Sequence, residues 1–401
     1  MTAAMKNEGV DISNGCPVCG SDDTRTFLEL ADMPAQDGVV HNTRRAALDA
    51  PAGDISLAIC RRCHFIVNFA YDPEKIQFTE YNYAQHHSAQ YRNHVDEVVG
   101  MLVDTYGLRN KMLIDVGCGE GYFLNKLSIA ADSNGVGIDP SLAVTGEVPI
   151  GNERLELIKD FYTDKYSHYQ GDLVSCRHVI DELAAPRDFL QLLKKALRPG
   201  EQSIVYLELP NARRTFEEQL IWNIGYAKRS WFTATSLAAL LRICGLSVVK
   251  TETLFGGEYL GITGRRARDT DATDPYPEEP ADEMIALLDE FSNHFNKEVD
   301  RWKKKIAGLK KRGEQIVIWG AGMRGINFLN QFGHESVFPK IVDINKNRQG
   351  SYLPGSGFLI DSPDILRALQ PKRILLSNPA YKREIRSQLE DMGVASELES
   401  L

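Results

Sequence analysis

The 401-residue sequence has no run of about 18–20 consecutive apolar residues, so no membrane-spanning helix is expected. It also lacks a basic excess. Its 46 Lys and Arg stand against 55 Asp and Glu, for a formal net charge of −9. That balance argues against non-specific binding to nucleic acid or a membrane surface, though an anionic small molecule can still sit in a local basic pocket. Cysteine is sparse and odd in number, seven in all, and the polar stretch from Met1 to Gly15 has no apolar signal-peptide core. Reduced thiols or a metal, rather than disulfides, are expected in a cytoplasmic chain. What is present is globular, 43% hydrophobic and 25% charged. The length implies two or three domains.

The most informative stretch is Leu113–Gly121. An apolar run carrying Asp115 meets Gly117, Cys118, Gly119 and Gly121, and Tyr122–Leu127 follows at helical spacing. This predicts a buried strand, a tight turn and a helix. Glycine lets the backbone bend sharply and lets a ligand lie against it, beside the unpaired N–H groups of the helix start. A second strand, Gly135–Asp139, ends in an acid placed for ribose hydroxyls. A pyrophosphate would be repelled by Asp115, whereas a cationic amino acid joined to a ribose would not. The pattern D-V-G-C-G-E-G resembles the first motif of class I S-adenosylmethionine (SAM) methyltransferases. That resemblance implies SAM contacts from Asp115, Gly117, Cys118, Gly119, Gly121, Asp139 and Pro140, with the adenine near Asp160 and Phe161.

Cys16-Pro17-Val18-Cys19 and Cys60-Arg61-Arg62-Cys63 are paired C-x-x-C knuckles. Four thiolates in this arrangement predict a closed, structural zinc site that orders a segment with little apolar core. His41 and His64 lie near as alternative ligands. The expected organisation is a zinc module over 1–70, a methyltransferase domain over 71–264, and a polar Asp/Thr/Pro/Glu linker over 265–283. A Rossmann-like domain follows over 284–401. Strands and helices alternate through the second segment, which predicts an α/β doubly wound sheet with ligands at the strand carboxyl ends. His178 and Glu208 fall at such ends. Ile221–Thr233 reads as an insertion, and Phe255–Ile262 as the closing strand. The last domain opens with a long helix from about Asp282 to Lys311. Gly320-Ala321-Gly322-Met323-Arg324-Gly325 follows a strand, and Gly320, Gly322 and Arg324 read either as a phosphate cradle or as purely structural glycines with a neighbouring arginine.

Taken whole, the chain resembles the sugar C-methyltransferases that act on nucleotide-linked 4-keto deoxysugars. The resemblance rests on the two cysteine knuckles, Asp72-Pro73-Glu74, Tyr81-Asn82-Tyr83 and Asp139-Pro140-Ser141. It extends to Cys176-Arg177-His178-Val179, Leu209-Pro210-Asn211, and the W-G-A-G and L-P-G of the last domain. It implies SAM and zinc as cofactors, a nucleotide sugar held between the SAM and C-terminal domains, and an enolate carbon that takes the methyl group. Such chemistry needs a base beside the ketone and a donor for the enolate oxygen. Tyr81 and Tyr83 are the base candidates, or else they only pack. Tyr226 and Lys228 would bind or stabilise the anion, His87 and His178 are fallback acids, and Glu208 and Asn211 would contact substrate. One departure stands out. Where the family carries Y-E-H, this chain has Tyr226-Ala227-Lys228, and Glu182 replaces the histidine that closes R-H-V-x-E-H. Alternatives are O- or N-methylation of another small metabolite, or a SAM-binding partner protein without catalysis. A monomer or homodimer is expected.

Overall fold

A computed structural model of the chain describes residues 15–80, 84–150, 153–200, 202–271, 274–278 and 280–401. Among the described residues the strands form three sheets. The largest has eight strands. From one edge they run Leu246–Leu254, Tyr259–Arg266, Ile204–Pro210, Leu173–Arg177, Leu113–Val116, Gly135–Ile138, Glu153–Ile158 and Gly146–Ile150. The central strands are buried on both faces because helices cover both, and they therefore read as continuous apolar runs. Tyr259–Arg266 runs antiparallel to both neighbours. The closing strand starts later than Phe255, because Phe255–Gly257 forms a 3-10 turn with Gly256 at φ +62°.

The amino-terminal sheet holds Thr24–Pro34, Ala52–Cys60 and Ile66–Asn68. Its fourth strand, Ser230–Trp231, comes from the stretch read as an insertion; Ser230 pairs with Val67 and Trp231 with Ile66. The segment is therefore a structural part of the amino-terminal unit. The C-terminal unit is a parallel five-stranded sheet in the order Ile360–Asp361, Ile341–Val342, Val317–Trp319, Arg373–Leu376, Glu397–Ser400.

A helix over Asp282–Arg312 ties the three units together. Acids occupy its first turn and Lys310, Lys311 and Arg312 its last, matching the helix dipole, and Gly313 ends it in the left-handed conformation. Leu288, Phe291, Trp302, Ile306 and Leu309 form its buried stripe. Phe291 meets Phe216 edge-on at 5.0 Å, and Trp302 meets Phe328 at 4.8 Å. Near the same end, Arg25 donates to both oxygens of Asp289 at 2.7 and 2.9 Å. No helix among the described residues is long and apolar enough to cross a membrane. Removing the Trp302 ring would leave a cavity where this helix meets the C-terminal unit, so Trp302→Ala is expected to cost about 3–5 kcal/mol. Denaturant titration followed by circular dichroism reads it; an unchanged midpoint would show that the helix does not depend on this contact.

Candidate active site

The carboxyl ends of the large sheet open into a cavity of about 650 Å³, to which all three units contribute. One end is the glycine turn. Gly117 sits at φ +74°, and a Cβ there would meet Val179 Cγ2 at 2.3 Å, so only glycine fits. Gly119, also left-handed, donates its N–H to Asp139 Oδ2 at 2.8 Å. Ser141 donates from N and Oγ to the other Asp139 oxygen at 2.7 and 2.6 Å. The acid at the second strand end thus holds the turn in shape while facing the cavity. Asp115 is buried and accepts from Ser175 Oγ at 2.7 Å. Burial pushes its carboxyl up to about 7, against the pull of Ser175 and Arg177. Cys118, Pro140 and Phe161 also line this end. Gly121 caps the following helix at φ +79°. Asp160 does not line the cavity: it accepts from the Phe161 N–H and the Tyr166 hydroxyl and pairs with Lys165. A glycine-rich turn, a buried strand-end carboxylate and an apolar recess fit SAM.

Behind the cavity wall lies Glu208, read from its strand end as a substrate contact. It is 0% exposed and does not line the cavity. Arg177 donates to its Oε1 at 2.7 Å and Tyr206 to its Oε2 at 2.9 Å, with His94 Nε2 at 3.1 Å and His178 Nε2 at 3.2 Å from Oε1. Burial alone would raise its pKa; Arg177, His178 and His94 outweigh burial and hold the carboxyl well below the usual range. Glu208 therefore positions other groups. One of them is His178, at φ +57°, which lines the cavity with its ring 4.6 Å from Tyr259. Burial lowers the imidazole pKa despite Glu208, so the ring is neutral at pH 7.

The opposite end is polar. Lys228 Nζ lies 3.6 Å from Asp181 Oδ2, and Asp37 and Asn211 share this cavity. Arg214 and Arg324 clasp Glu258 from two sides, with contacts of 2.5 and 2.8 Å, and Arg324 also donates to Asn223. Arg324 Nη1 is buried with no partner. Arg214 also donates to Glu218 at 2.9 Å, so the two guanidiniums are balanced by two carboxylates, and Arg324 Nη1 is the donor left over where the C-terminal unit meets the methyltransferase sheet. Gly322 reaches this cavity, but Gly320 lines a separate recess of about 170 Å³ together with His87. Tyr226 does not line either cavity. Its ring stacks on Tyr71 at 5.7 Å, and its hydroxyl accepts the Asp72 N–H at 2.7 Å. Tyr81 and Tyr83 lie outside the described residues. Sequence reading missed Arg177, Arg214, Glu258, Asp37 and Asp181. Arg177 had an available signal, its place beside His178 at a strand end; the others come together only through tertiary contacts.

Cys16, Cys19, Cys60 and Cys63 converge, their sulfurs within 4.8 Å of one another and two pairs at 3.6 Å. Cys16, Cys60 and Cys63 belong to the same buried apolar cluster as the core of the methyltransferase sheet, and Cys19 packs against it. The geometry of the four thiols fits a small zinc module.

Residues 91–251 match the family model for a methyltransferase domain, and residues 265–396 match the one for a C-methyltransferase C-terminal domain. Solved structures are similar over a little under half of the chain. The 1,6-didemethyltoxoflavin-N1-methyltransferase of Burkholderia thailandensis aligns at 15% identity over 45% of this chain and 82% of its own, with a TM-score of 0.33. Magnesium protoporphyrin IX methyltransferase from Synechocystis PCC 6803 aligns at 16% identity over 46% and 88%, with a TM-score of 0.34. No curated protein matches. The family matches fall on two α/β units whose strand order and glycine turn have been described, and they define a class I SAM-dependent methyltransferase. Its last unit is of the kind named for C-methyltransferases.

Replacing Glu208 by glutamine leaves the buried Arg177 without its counter-charge, so a loss of about 3–5 kcal/mol is expected. A thermal melt reads it. A Glu208→Gln protein as stable as the parent would mean that another group neutralises Arg177.

Proposed function

We propose that the chain transfers the SAM methyl group to carbon in a nucleotide-linked keto sugar, through an enolate. The observation that carries this reading is the Arg214–Glu258–Arg324 wall, with its unpartnered buried Arg324 Nη1, in one cavity with the glycine turn. An unpartnered guanidinium N–H in this wall suits a phosphate oxygen of a nucleotide sugar. The C-terminal match, named for C-methyltransferases, supports carbon as the acceptor. SAM supplies an electrophilic methyl group when bound. Gly117, Gly119 and Asp139 shape its seat, and Asp115 receives its cationic amino-acid end. Lys228 is the donor placed to offset charge on an enolate oxygen. His178, its Nε2 3.2 Å from Glu208, faces the same space. The Ala227-Lys228 pair in place of an acid and an imidazole favours a second reading, O- or N-methylation on the same scaffold.

Cys16, Cys19, Cys60 and Cys63 are proposed to hold zinc. Tetrahedral Zn–S bonds of about 2.3 Å imply sulfur separations of about 3.8 Å. The two 3.6 Å pairs lie close to that value.

Mass spectrometry and NMR of the product from methyl-labelled SAM and a panel of 4-keto nucleotide sugars test the main reading. A base-stable methyl group on carbon is expected; a methyl group on oxygen or nitrogen would establish the second reading instead. Lys228→Ala is expected to lower turnover by about 10²–10³-fold with SAM affinity retained, and full activity would remove Lys228 from the reaction. Metal analysis should give one zinc per chain, lost in Cys60→Ser.

SAM binding should also depend on pH. The unliganded Asp115 carboxyl titrates near 7, and the cationic ligand favours its charged form. Affinity is therefore expected to fall by approaching tenfold per unit below about pH 6, and to decline again above about pH 8 as the ligand's amino group loses its proton. Calorimetry reads this, and a pH-independent Kd would exclude Asp115 as the partner.

A further inference from the structure

Ala227 and Lys228 stand where the family has an acid and an imidazole, and the base candidates Tyr81 and Tyr83 lie outside the described residues. Tyr226 is held by Asp72 and Tyr71, and His87 lines the other recess. The large cavity nevertheless contains a carboxylate delivered by the amino-terminal unit. Asp37 follows the Thr24–Pro34 strand, and its backbone carbonyl accepts from Arg348 of the C-terminal unit at 2.9 Å. It is 7% exposed, lines the cavity, and its Oδ1 has no hydrogen-bond partner. Asp181 is comparably buried and its Oδ1 likewise lacks a partner, but its Oδ2 lies 3.6 Å from Lys228 Nζ, whereas Asp37 has no such ion pair among the described residues. A lysine held against a carboxylate suits an oxygen-facing donor.

We infer that Asp37 is the general base of the reaction and that Lys228 is its complementary acid-side donor. The inference rests on the keto-sugar reading above. Asp37 Oδ1 takes the proton from the carbon beside the ketone. The C–H pair becomes the carbon–carbon π bond, and the carbonyl π pair moves to oxygen, where the Lys228 ammonium offsets its charge. The enolate carbon is then the nucleophile for the methyl group, whose S–C pair stays on sulfur. Asp37 returns its proton to solvent. Its surroundings suit the task. Burial raises its pKa, Lys228 and Arg348 draw it down, and Asp181 pushes it up, with a net rise toward the range of an effective base.

Proton abstraction can be read without methyl transfer, as exchange of the substrate α-hydrogen with D2O in the presence of S-adenosylhomocysteine. The parent enzyme should exchange this position in a 4-keto nucleotide sugar. Asp37→Asn should lose at least about 10²-fold in exchange while binding the same sugar and SAM unchanged by calorimetry. Asp37→Ala should regain exchange with added formate, which guards against misfolding as the cause. Exchange at the parent rate in Asp37→Asn overturns the assignment and leaves the keto-sugar reading standing. Persistence there with loss in Asp181→Asn transfers the role to Asp181 and likewise overturns it. A parent enzyme that binds SAM but exchanges none of these ketones overturns the enolate reading and the Asp37 assignment together.

Discussion

A carboxylate with no access to water must be surrounded by donors, and the site is arranged around one that is. Glu208 draws Arg177, His178 and His94 to one oxygen and Tyr206 to the other. These groups come from two adjacent strands, the loop beyond one of them and the helix Ala89–Tyr106. Losing any donor would leave charge buried in a low dielectric, so the network fixes strand ends and loop relative to each other. His178 holds a left-handed backbone conformation within that frame. The geometry presented to the ligand is set from behind, by a residue the ligand does not touch.

The remaining cavity wall is a meeting of units. Segment 84–91 passes between the methyltransferase sheet and the C-terminal unit. Gln85 accepts from both Tyr259 and Tyr381, at 2.9 and 3.0 Å, and Glu384 accepts from the first N–H groups of the helix that begins at Ala89. The C-terminal unit thereby caps a helix of its neighbour. It also repeats the logic of the SAM turn: Asp343 accepts the Ala321 N–H at 2.6 Å much as Asp139 accepts that of Gly119. A strand-end acid bracing a glycine turn is used twice in one chain.

Features carried by a few consecutive residues were legible in the sequence. The glycine turns, the cysteine knuckles and the apolar stripe of the Asp282–Arg312 helix all declare themselves through local spacing. What was not legible depends on direction and distance. Glu208 was correctly placed at a strand end, but alternate strand residues face opposite ways, and nothing local said that it turns toward His94. Tyr226 carried an aromatic signature equally suited to packing, and packing is what it does. Arg214, Glu258 and Arg324 become a cluster only when two units meet, and a lone Asp37 on a loop has no signature at all.

The strand Ser230–Trp231 completes the amino-terminal sheet from far along the chain. During synthesis from the amino terminus, Ile66–Asn68 must therefore emerge and wait with one edge unpaired while the first six strands of the large sheet are made. An open strand edge is a template for pairing with another chain. The short length of Ile66–Asn68 limits that hazard, and the cysteine knuckles flanking this sheet can hold it in register until its last strand arrives. Translation order, as much as final packing, thus bears on how this protein reaches its fold.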